Sequence, residues 1–110
     1  MEKLRLIVHK SMIKEELKSE LTLCEKKPKL ERVLERIREI ETTEKHVKYI
    51  VMDNDNPDNL NGIHHTVDIC RGYSSVVLYG ISTTVCLPFV ERKLKENGFA
   101  VSYDQQGTID

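Results

Sequence analysis

A chain of 110 residues, 32% charged and 39% hydrophobic, has the size and composition of one globular domain, 1–110. A net charge of −1 excludes a globally basic nucleic-acid binder, and no apolar run approaches the ~18 residues that a membrane-spanning helix needs. The charge is uneven: residues 1–48 carry 13 Lys/Arg against 10 Asp/Glu, a balance of +3, while 49–110 carry 4 against 8, a balance of −4.

Lys3–His9 alternates and then runs apolar, which predicts a first strand. Ser11 is placed to cap a helix over Met12–Glu20, with Ile13 and Leu17 four apart on one face. Leu21–Cys24 reads either as a short second strand or as an extension of that helix, and Pro28 interrupts any helix arriving from the left. Leu30, Val33, Leu34, Ile37 and Ile40 recur at helical spacing among Glu and Arg, the pattern of an amphipathic helix. Val47–Met52 is rich in β-branched residues and predicts a buried strand. Ile63–Arg71 suits a short helix that Gly72 can stop, and Val76–Tyr79 a further strand. Ser82, Thr83 or Thr84 caps a helix with the stripe Leu87, Val90 and Leu94, which Asn97-Gly98 ends. Phe99–Tyr103 is the last strand.

With Leu21–Cys24 counted as a strand, strands and helices alternate throughout. That predicts an α/β fold: a doubly wound, five-stranded parallel sheet of flavodoxin-like order 2-1-3-4-5. Such sheets bind ligands at the carboxyl ends of their strands. Five stretches would meet there: His9-Lys10, Cys24, Asp53-Asn54-Asp55, the Gly80–Thr84 turn and Asp104-Gln105. Cys24, Cys70 and Cys86 are odd in number and form no Cys-x-x-Cys; with no leader evident, a reducing, cytoplasmic setting is expected.

Three segments, KLRLIVHKSMIKEELKSEL from Lys3, YIVMDNDNP from Tyr49 and SSVVLYGIST from Ser74, together resemble the receiver domain of two-component response regulators. The resemblance implies a regulatory domain in which Asp53, with Pro57 four residues on, stands at the phospho-acceptor position. It also implies an acidic pair after the first strand to hold magnesium and a lysine after the last strand to hold the phosphoryl group. This chain has His9-Lys10 and Asp104-Gln105-Gln106 at those places. A phosphoryl group needs cations around its oxygens, so the expectation is a receiver-like domain that binds a protein partner without phosphotransfer and without a cofactor. Seen this way, the chain ends before the family's last helix. The face beside the first helix is then expected to stay uncovered and to pair in a homodimer or with a partner.

The same residues admit other chemistry. Asp53, Asp55 and Asp58 could hold magnesium or calcium, or simply build a turn around Pro57. Asp53-x-Asp55 resembles the first motif of haloacid-dehalogenase phosphatases. GISTTVC, residues 80–86, resembles the nucleophile turn of isochorismatase-like cysteine hydrolases, which implies Cys86 as nucleophile with Asp53 and Lys10 as its partners. Ser82, Thr83 and Thr84 at a helix start could receive an anion, with His9, Lys10, Asp53 and Asp104 around it. His64, His65, Asp68 and Cys70 lack the tight spacing of a zinc site, so no metal is expected.

Overall fold

The computed structural model describes residues 3–51, 62–81 and 86–109. Four strands, β1 (Lys3–Val8), β2 (Val47–Ile50), β3 (Ser75–Gly80) and β4 (Ala100–Thr108), form a parallel sheet in the order β2-β1-β3-β4. The helices are α1 (Lys10–Lys18), α2 (Lys27–Thr43), the short α3 (Thr66–Ile69), entered through a 3-10 turn over Ile63–His65, and α4 (Cys86–Glu96).

Alternation along β1 decides the two cores. Leu4, Leu6 and Val8 face one layer with Val76, Leu78 and the α4 stripe Leu87, Val90 and Leu94. Ile7 faces the other with Val77, Tyr79, Ile13 of α1 and the α2 stripe from Leu30 to Ile40. Both sheet faces are therefore covered, as parallel sheets require.

Three expectations change. Leu21–Cys24 is neither a strand nor a continuation of α1, so among the described residues the sheet has four strands and not five. The reason is local competition for backbone groups: the Ser19 N–H bonds Glu15 O at 3.0 Å, the Thr22 hydroxyl bonds Glu16 O at 2.7 Å, and the Leu21 N–H bonds the Ser19 hydroxyl at 3.2 Å. Leu21 and Leu23 are left 94% and 69% exposed. Secondly, α1 starts at Lys10 with Ser11 already inside it; its N-cap is His9, in the left-handed region at φ 53°.

Thirdly, the face expected to lie bare is covered by α2. Pro28 opens this 17-residue helix in its first turn, where proline's missing N–H costs nothing. The helix crosses the sheet. Its Arg32 donates to Thr108 O at 2.9 Å and Arg36 to Asp104 at 2.8 Å, both on β4, while Glu44 pairs with Arg5 of β1 at 3.1 Å. Ile109 is buried beneath it.

Candidate functional site

α1 leaves β1 towards one sheet face, and α4 follows β3 on the other. Since β1 and β3 are neighbours, the crevice at their carboxyl ends is the topological switch point, where open α/β sheets take their ligands. His9 lies there, buried, its N–H donated to Ile50 O at 2.8 Å. Gly80 closes the other side at φ +154°; a Cβ on it would stand 3.0 Å from Val8 O and 3.4 Å from Leu87. Only glycine lets the two strand ends approach this closely.

Lys10 belongs to the same edge, but its ammonium is committed. Nζ lies 2.9 Å from each carboxylate oxygen of Glu41, and the Tyr49 hydroxyl donates to the same carboxylate. Burial pushes Glu41 up, yet the bonds from Tyr49 and Lys10 hold it net below the ordinary carboxylate range. The same arrangement, burial first and Glu41 second, pushes the Tyr49 phenol up to about 12.

Asp104 lies within β4 and not beyond its end. Burial pushes its carboxyl up, but Arg36, the Gln106 N–H at 2.9 Å and the Tyr79 hydroxyl together hold it below the usual range. Tyr79 is fully buried, and its oxygen also accepts from Arg5 at 2.9 Å. A polar chain therefore runs Glu44–Arg5–Tyr79–Asp104–Arg36 across β1, β3 and β4 and into α2.

Asp53, Asp55, Ser82, Thr83 and Thr84 fall outside the described residues. The strand before Asp53 is the sheet's edge, paired with β1 alone among the described strands. The receiver resemblance would put that strand between the first strand and the one that follows. Here β3 occupies the inner place, so Gly80-Ile81 follow the inner neighbour of β1, and in sequence Asp53 follows its outer neighbour β2. Cys24 lies exposed in the turn between α1 and α2, away from any strand end in sequence. Cys86 opens α4 half-buried against the core. Asp68 is paired with Arg71 at 2.5 Å, and Cys70 points into the core. Among the described residues no three His, Cys, Asp or Glu side chains converge on a metal position, and no described helix is long and apolar enough to cross a membrane.

Glu41, Tyr49, Arg36 and Tyr79 were not singled out from the sequence. Their partners lie 8 to 74 positions away, so no local spacing reveals them.

The thiols should separate by burial. Burial pushes Cys70 up to about 12, whereas Cys24 is exposed. An aromatic disulfide reagent at pH 8 is expected to modify Cys24 rapidly and Cys70 only on unfolding. Fast labelling of Cys70 in the native protein, read by peptide mass, would contradict this packing. No protein-family model, curated protein or solved structure matches the chain, so its functional reading rests on this geometry.

Proposed function

We propose that the chain is a receiver-like regulatory domain that acts by binding a protein, without aspartyl phosphotransfer and in the cytoplasm. The observation that carries this reading is the commitment of both charged positions to structure. Where the resemblance calls for an acid after the first strand, Lys10 is clamped to Glu41. At the position matched to the family's lysine, Asp104 stands within β4 and is anchored to Arg36. Charges used to pin α2 to the start of α1 and to β4 are poorly placed to hold magnesium or a phosphoryl group.

The same clamp weighs against a hydrolase built on Cys86, because that reading needs Lys10. A small-ligand or anion sensor at the edge is the second reading, supported by the β1/β3 switch point and its Gly80 contact.

Incubation with magnesium and acetyl phosphate, followed by intact-mass measurement, is expected to show no adduct. A stoichiometric phosphoryl adduct that disappears in Asp53→Asn would overturn the proposal.

A further inference from the structure

The two outer edges of the sheet are built differently. β4 is protected: two steps along β3, Leu78 to Gly80, match five along β4, Tyr103 to Thr108, so the edge bulges. Arg32 also caps Thr108 O. Bulges and charges of this kind keep an edge from pairing with another chain.

β2 has neither device. It is regular, and a groove of about 480 Å3 runs beside it, lined by Val47, Lys48, Tyr49, Val51 and Ile69. The large apolar side chains exposed among the described residues are Leu21, Leu23, Tyr49 and Val51, so two of the four stand on this edge, at 38% and 43% exposure. Lys48 is the charge that could guard the strand, but it is folded back. Its Nζ donates to Ile69 O at 3.1 Å and lies 5.6 Å from the centre of the Tyr73 ring.

The backbone settles which groups the edge offers. Arg5 N–H donates to His46 O at 2.9 Å and His9 N–H to Ile50 O at 2.8 Å. Peptide groups alternate sides along a strand, so residues 46, 48 and 50 face β1, while Val47, Tyr49 and Val51 turn their N–H and C=O outward.

We infer that β2 is a self-pairing edge: two copies of this chain join their β2 strands antiparallel about a twofold axis at Tyr49, giving one continuous eight-stranded sheet. Tyr49 then faces Tyr49 of the second copy as a hydrogen-bonded pair, and Val47 faces the second copy's Val51. Lys48 falls opposite Ile50, so no like charges meet. The outward groups of the two strands supply about six hydrogen bonds, and closure by a twofold leaves this edge with nothing further to add. A second copy is favoured over a foreign strand because this register sets apolar residues opposite apolar residues, keeps the two Lys48 side chains from facing each other and pairs every outward backbone group at once.

The inference rests on reading the chain as an interaction domain, but it fails separately. A monomer overturns the self-pairing alone, and a phosphoryl adduct overturns the non-phosphotransfer reading alone. Sedimentation equilibrium at about 10–100 μM is expected to give twice 12.8 kDa for the native chain and for Tyr49→Phe. Tyr49→Lys puts two ammonium groups on the axis and is expected to weaken the dimer about tenfold or more. A second measurement does not depend on that variant folding. In a Cys24→Ser background, Tyr49→Cys should oxidise to a linked dimer, since hydrogen-bonded antiparallel pairs bring Cα atoms to about 5.5 Å, within disulfide reach. Lys48→Cys, opposite Ile50 and not itself, should not. A chain that stays monomeric throughout, or cross-linking no better at 49 than at 48, overturns the inference.

Discussion

Gly107→Ala is expected to destabilise the domain by about 1–3 kcal/mol, although alanine adds a single carbon. A Cβ on Gly107 would stand 2.3 Å from Cδ2 and 2.8 Å from Cε2 of Tyr79. The ring has little room to retreat. It is fully buried, and its hydroxyl is held by Arg5 on one side and Asp104 on the other. The cost should therefore be steric, not conformational. Gly98→Ala is the control, because Gly98 has φ +86° but open space around it; that change should cost about 1 kcal/mol of backbone strain. Urea unfolding of both variants separates the two causes. If Gly107→Ala unfolds with the native midpoint, β4 does not bulge over Tyr79 as described. Combining it with Tyr79→Leu should be less than additive, because the clash needs the ring.

Asp104→Asn should cost about 1–2 kcal/mol at pH 7, because it removes the less exposed of the two carboxylates on the Arg36 guanidinium and leaves only Glu39, at 3.2 Å. The Asp104 side chain is 13% exposed and that of Arg36 32%, so solvent screens this pair in part, which keeps the cost below that of a fully buried pair. The pH dependence has a definite sign. The folded state holds Asp104 below its ordinary range, so ionised Asp104 stabilises the fold above the unfolded carboxylate pKa of about 4. That stabilisation fades as pH falls through the lowered folded value. The gap in urea midpoint between the native chain and Asp104→Asn should be full at pH 7 and shrink progressively below about pH 4. A gap independent of pH would mean that the Arg36 pair contributes nothing and that only hydrogen-bond geometry was lost.

Both predictions concern β4, where sequence reading and structure diverge most. Phe99–Tyr103 reads as a short strand because its apolar residues stop at Tyr103, yet pairing continues to Thr108 through polar residues. Asp104 folds back on the Gln106 N–H, and the Thr108 hydroxyl on Asp104 O at 3.0 Å; these local bonds make the bulge. Asp104 consequently serves as a brace inside the sheet and not as a group presented at its end.

The sequence by itself determined the periodic parts. The stripe Leu30, Val33, Leu34, Ile37 and Ile40 specified a helix with one buried face, and all five are buried. The apolar runs of β1 and β3 specified strands covered on both sides, and the strict strand–helix succession that follows α2 specified parallel pairing. Tertiary structure decided what depends on partners far along the chain. Leu21–Cys24 had enough β character to be counted as a strand, but four residues with competing Ser19 and Thr22 bonds find no neighbour to pair with. The outer place beside β1 therefore went to Val47–Ile50, and the strand preceding Asp53 moved from the middle of the sheet to its edge. Lys10 and Asp104 look like site residues in a linear reading because charge at a strand end suggests chemistry. Whether such a charge meets a ligand or a counter-charge depends on what packs against it, and α2, crossing the sheet, brings Glu41 to one and Arg36 to the other.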